Sequence, residues 1–303
     1  MPSHMIVRYF TFASVVALGF TTIPMVQAQA IPSPLQVSQA ESRVGRTILY
    51  VNPQQGLDNP SAGRTESMPY RTITYALQQA TPGTTIQLAS GEYTTEAFPL
   101  LLPPGVSLQG NESQQGEGVV INGGNFYLSP SFARQNVTVI ASENTQISGL
   151  TITNPNLRGT GIWVEFGNPI IRNNTFVNNK REGIFVTGNA APRIENNRFV
   201  NNSANGLSVA KEAQGEIRGN IFENTGFGMA IGGNSSPIVA DNQIRGNRNG
   251  VVLTDAARPR LQSNVIENNR EYGLVIMGKS QPDLSDNTLR GNQRNNELNI
   301  VPR

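Results

Sequence analysis

Hydrophobic residues in the second half of the chain fall in short alternations, not in helical stripes. The stretch "IRNNTFVNNKREGIFV" from Ile171 alternates apolar and polar positions, bends at a polar cluster, and alternates again. Nearly the same stretch restarts at Ile194, Ile217, Val239, Leu261 and Leu284. Aligned on Asn174, Asn197, Asn220, Asn242, Asn264 and Asn287, the units lie 23, 23, 22, 22 and 23 residues apart. Each unit closes on a glycine followed by two spaced aliphatic residues, at Gly183, Gly206, Gly228, Gly250 and Gly273. Two period-2 strands per unit, Gly and Asn at the bends, and no helical stretch predict one turn of a solenoid per unit.

The expected fold is therefore all-β, a single-stranded right-handed parallel β-helix. Ile171, Phe176, Ile184 and Val186 point inward and stack on Ile194, Phe199, Leu207 and Val209 of the next turn. A leucine-rich repeat has a similar period, but it needs alternating leucines just upstream of the asparagine. Gly167 and Pro169 stand there before Asn174, and Ala190 and Pro192 before Asn197, which excludes it. The asparagines read as structural: each sits at a bend, where Asn tolerates the left-handed conformation. Stacked turn on turn at about 4.8 Å, their amides form a hydrogen-bonded ladder. The pairs Asn178–Asn179, Asn201–Asn202 and Asn268–Asn269 serve the next bend, and Asn292 is expected to be exposed near the open end.

These units resemble the parallel β-helix repeats of the pectin-lyase-like superfamily from about Val137 to Ile300, with "ISGLTITN" at Ile147 as an entry turn. Upstream, "LYVNPQQGLDNP", "PYRTITYAL" and "PGTTIQLASGEY" resemble a family of uncharacterised function found in secreted β-helix proteins, over roughly Ile48 to Asn125. That resemblance implies no established reaction. Thr72 to Ala80 sets Ile73, Ala76, Leu77 and Ala80 on one face and predicts a short N-terminal capping helix. A cap is needed because a solenoid's first turn exposes core and unpaired strand edge. Residues 47–136 are thus assigned to cap and irregular first turns, and 137–303 to regular repeats.

The start of the chain follows another logic. Arg8, the apolar run "YFTFASVVALGFTTIPM" and the small residues of "VQAQA" give the order of a secretory signal peptide over residues 1–30. Residues 31–46, polar and proline-punctuated, read as a flexible leader. A secreted, periplasmic or cell-surface location follows, with no integral membrane segment once the signal is cleaved. The absence of cysteine excludes disulfides and thiol chemistry. With a net charge of +2 and no basic run, nucleic acid is not an expected partner.

Charge is spent largely on register. Arg172, Glu195 and Arg218 form one outward column; Arg193 stands over Glu216, and Arg260 over Asp283; Glu223, Arg245, Glu267 and Arg290 form another. Opposite charges on neighbouring strands favour pairing, at about 0.2–1 kcal/mol each. The chemistries known on this fold are not spelled out. Related epimerases set histidine between two aspartates, but the only histidine is His4; related hydrolases carry a paired Asp-Asp, which is absent. Calcium-dependent lyases use clustered acids and a basic residue. The residues left for catalysis are Lys211, Glu212, Asp255 and Lys279, on successive turns, with Glu165 earlier. No cofactor is indicated, and the scattered acids do not place a calcium site. One outward strip, Trp163, Phe185, Ser208, Ala230, Val252 and Val275, carries no charge. Trp163 and Phe185 on it form either a platform for a sugar ring or a face covered by a loop or by the leader. The expected function is an exported β-helix that binds polysaccharide or serves as a surface scaffold. A polysaccharide lyase and an adhesive protein without sugar recognition are the alternatives.

Overall fold

The structure is a computed structural model that describes residues 47–300. The expected signal peptide and leader both lie outside them. Three parallel sheets of ten, nine and ten strands wind about a common core. The chain visits each sheet once per turn for about nine turns, as a right-handed pectin-lyase-like β-helix. Among the described residues no helix is long and apolar enough to cross a membrane.

Register follows the predicted columns. Ile171 pairs with Ile194 and Ile194 with Ile217; Phe176 pairs with Phe199 and Phe199 with Phe222; Ile184 pairs with Leu207. All of these are buried. The three phenylalanines stack, with ring centroids 4.9 and 4.5 Å apart. Their stacking explains the glycine that opens the third strand. A Cβ on Gly206 would stand 2.5 Å from Phe222 Cδ1 and 2.8 Å from the Gly228 carbonyl, so only glycine fits beside the rings.

The asparagine ladder is continuous. The side-chain amides of Asn174, Asn197, Asn220, Asn242 and Asn264 each donate to the Oδ1 of the next column member, ending at Asn287, over 2.9–3.0 Å. Each amide also donates to a carbonyl of the preceding turn, as Asn220 does to Ile194 at 2.8 Å. The conformational reading needs correction. The left-handed residue is the one before each ladder member: Asn173, Asn196, Gly219, Asp241, Ser263 and Asp286. That residue turns the chain and aims the next side chain into the core. A second ladder occupies the next bend. Asn179 donates to Asn202 there, and Asn247, Asn269 and Asn292 continue it after Thr225. Asn292 is thus 8% exposed and bonded on both sides, contrary to the exposed position expected of it.

The N-terminal motif is also explained by contacts. The helix, Ile73–Gln79, buries Ile73 and Ala76 against the first turn. Thr72 caps it, and Glu96 accepts from the Ile73 and Thr74 amides at 2.9 and 2.7 Å. Asp58 accepts from Arg71 N, Thr72 N and Thr72 Oγ1, tying the preceding loop to the helix start. Carboxylates suit that end of a helix because its free N–H groups carry partial positive charge.

The charge columns are in register, but the ion pairs choose their partners differently. Arg245 meets Glu223 at 2.5 Å and Arg290 meets Glu267 at 2.7 Å, across turns as expected. Arg260 likewise meets Asp283 at 3.1 Å. Arg193, however, turns to Glu195 on its own strand, Arg218 to Glu216, and Arg172 to Glu112 of the irregular turns. Positions two apart on a strand share a face, so a long arginine reaches either neighbour at similar cost.

Candidate functional site

The uncharged strip is covered at its N-terminal end. Asn125–Ser129 and Ala133–Ala141 form an antiparallel hairpin, and it lays Tyr127 and Phe132 over the third sheet. Trp163 and Phe185 stack beneath it, 4.4 Å apart and nearly parallel. Phe132 meets both rings edge-on. Trp163 is 0% and Phe185 5% exposed. As placed, the pair offers no ring face to a sugar, and the covering element is the hairpin.

Glu165 fastens this cover. Its carboxylate accepts from Tyr127 Oη at 3.1 Å, Ser129 Oγ at 2.9 Å, Ser131 N at 2.8 Å, Ser131 Oγ at 2.5 Å and Trp163 Nε1 at 3.2 Å. Burial alone would raise its pKa, but the donors from Ser131, Ser129 and Trp163 outweigh that and hold it below the usual glutamate range. Tyr127 is pushed up to about 12, by burial first and by the Glu165 charge second. Glu182, buried at the opposite end of the third-sheet strands beside Thr160, is raised by desolvation despite Arg181 at 2.8 Å.

A depressed carboxyl contributes stability that is full above its unfolded pKa and lost as pH falls through its folded pKa. The raised Glu182 works in the opposite sense and gains with acid. In the intact protein at neutral pH, Trp163, the sole tryptophan, is expected to emit in the blue and to resist acrylamide. Glu165→Gln, which weakens a buried acceptor worth about 1–3 kcal/mol, should shift the emission to the red and open it to the quencher. Acid below the usual glutamate range should do the same. Emission and quenching unchanged in both would mean that Glu165 does not hold the hairpin.

Beside the hairpin tip lies an open groove of about 510 Å³, lined in part by Ser131, Phe166, Asn189, Lys211, Glu212 and Asp255. It runs along the bend after the third sheet, where Gly188, Lys211, Gly233, Asp255 and Gly278 all take left-handed conformations on successive turns. Phe166 is 56% exposed. Its ring lies against Gly188, where a Cβ would come within 3.4 Å of Cε1. Sequence reasoning missed Phe166, which follows the covered strip as an ordinary bend residue.

The groove therefore gathers three of the five residues left for catalysis. Lys211 sends its amine over the Phe132 ring, 5.2 Å from the centroid. Asp255 is held by the bend: its Oδ2 accepts from Gly233 N at 2.9 Å and from Thr254 Oγ1 at 3.2 Å. The turn of Gly233 separates Lys211 from Asp255, putting their backbones about 10 Å apart at two strand spacings. Lys279 stands one turn beyond Asp255, outside the groove lining, and Glu165 is spent beneath the hairpin. Among the described residues, no three acid or histidine side chains converge as metal ligands.

A family model described as a protein of unknown function, DUF1565, matches residues 55–301. The chain belongs to this family. The match begins within the first N-terminal motif and runs across the repeats. No curated protein matches the sequence. Among solved structures, the chain is similar to the pectate lyase Pel9A, with TM-score 0.60, 16% identity, and 77% of this chain and 69% of that chain covered. It is similar also to the periplasmic alginate epimerase AlgG, at TM-score 0.45 and 17% identity over 78% of this chain and 72% of that one. A third is the pectin methylesterase PemA from Erwinia chrysanthemi, at TM-score 0.42 and 11% identity over 77% and 80%. At 16% identity the likeness to Pel9A is one of fold.

Proposed function

We propose that this chain is an exported β-helix that binds polysaccharide in the Phe166 groove without turning it over. The observation that carries the reading is the exposed Phe166 ring set beside the amide of Asn189 and the charges of Lys211 and Glu212. An apolar ring face packs on the C–H face of a sugar, while amides and charges meet its hydroxyls. The groove runs across successive turns, which suits an extended chain molecule. The pectate lyase among the structural neighbours supports a polysaccharide as the ligand class. Export rests on the signal-like residues 1–30.

Binding in place of catalysis is favoured by how two of the three candidate acids are engaged. Asp255 is committed to its bend and Glu165 to the hairpin, so neither is poised to move a proton at the groove. A glycan array run alongside an assay for released unsaturated or reducing sugar tests this. Binding without release is expected. Release would replace the reading with a polysaccharide-cleaving enzyme, and silence across the array would leave a surface scaffold.

A further inference from the structure

We infer that a second groove, on the bend between the second and third sheets, binds an oxyanion-bearing glycan. The groove has a volume of about 680 Å³. One end is cationic: Arg248, Arg270 and Arg294 line it on three successive turns, with Glu271 as the one acid in the lining. Glu271 is engaged, at 3.3 Å from Arg248 Nε and 3.2 Å from Asn249 Nδ2. Arg294 lies over the Tyr272 ring, 6.0 Å from its centroid. Arg270 has no acid partner among the described residues. The arginines of the repeat columns on the sheet faces are joined to glutamate or aspartate, whereas in the groove only Arg248 is.

The other end of the groove is neutral and polar. Asn201, Asn224 and Ser203 line it, and their side chains make no hydrogen bond among the described residues. Free amides and a hydroxyl suit sugar hydroxyls. Arginine suits a repeated oxyanion, because its planar fork meets a carboxylate or a sulfate ester through two parallel bonds and stays charged at every working pH. The arginine-bearing turns succeed one another at about 4.8 Å, a step close to the advance of one pyranose in an extended chain. In register Glu271 lies between Arg248 and Arg294, with Arg270 offset by one residue, so a glycan lying along the axis would set its anionic groups against a staggered row of arginines. No aromatic side chain is among the lining residues for a base to stack on, which disfavours single-stranded nucleic acid.

This site does not depend on the Phe166 groove, and its test separates the two. Binding of polygalacturonate, dextran sulfate and unsubstituted dextran to the full chain is measured by titration at low and at raised salt. The wild type is expected to bind at least one of the two charged polymers and to lose affinity with salt. Arg270→Gln with Arg294→Gln should weaken that binding at least tenfold with an unchanged melting temperature. Arg64→Gln with Arg258→Gln removes the same net charge from exposed positions elsewhere and should leave it unaltered. Preference for polygalacturonate or for dextran sulfate identifies carboxylate or sulfate as the group read. The inference is overturned if the wild type ignores both polymers, if the two double variants weaken binding equally, or if unsubstituted dextran binds as well and with the same dependence on Arg270. It stands if charged-polymer binding persists in Phe166→Ala, whatever becomes of the first groove.

Discussion

Asn220→Leu should lower the stability of the solenoid by at least about 3 kcal/mol, since three buried polar groups lose partners at about 1–3 kcal/mol each. The Oδ1 of Asn220 accepts from both the backbone amide and the side-chain amide of Asn197, at 2.9 and 3.0 Å. Its Nδ2 satisfies the Ile194 carbonyl. Leucine is close in size but accepts and donates nothing, and no space for water opens in a bend that is fully buried. The denaturation midpoint in urea, read by circular dichroism, reports the effect. Asn292→Leu should also be costly, because it closes the second ladder by accepting from Asn269 and donating to the Ile266 carbonyl. A midpoint for Asn220→Leu equal to that of the wild type would contradict the ladder's role in stability.

The period, the inward columns and the first ladder were legible because every turn solves the same packing problem with the same residues. A 22- or 23-residue repeat states the stacking partner of each position directly, as Phe176, Phe199 and Phe222 show. The bend conformation was less legible. Asn173 and Asn174 are chemically identical, and only the backbone decides which is left-handed and which turns inward. The second ladder was hidden because Thr225 and the changing residues around Asn247 and Asn292 blur the paired asparagines. Partner choice among the ion pairs escaped for another reason. Arg193 reaches Glu195 or Glu216 with little difference in energy, and sequence spacing does not rank such alternatives.

The candidate site was legible only in part. Lys211, Glu212 and Asp255 could be placed on one bend by the repeat, and the structure brings them to one groove. Phe166 could not be placed with them, since its partners come from later turns and from the tip of the hairpin. The hairpin lies outside the repeat altogether, so nothing in the period foretold that it covers Trp163 and Phe185. Glu165 illustrates the same limit. Its position at the end of a strand looked available for chemistry, while its donors, Ser129 and Ser131, sit more than thirty residues upstream.

Phe166→Ala gives the most direct test of polysaccharide binding in the first groove. The side chain is more than half exposed and contributes little to the core, so the melting temperature should stay close to that of the wild type. Removing the one open aromatic face of the groove, in the Arg270→Gln with Arg294→Gln background that silences the second groove, should weaken binding of the glycan selected on the array at least tenfold, which corresponds to about 1.4 kcal/mol. The titration is best followed by calorimetry, because Trp163 is covered and its emission is not expected to report the ligand. Binding that falls tenfold or more when Phe166→Ala is added to that background, with the protein fully folded, supports the account. Undiminished binding by that variant would contradict it.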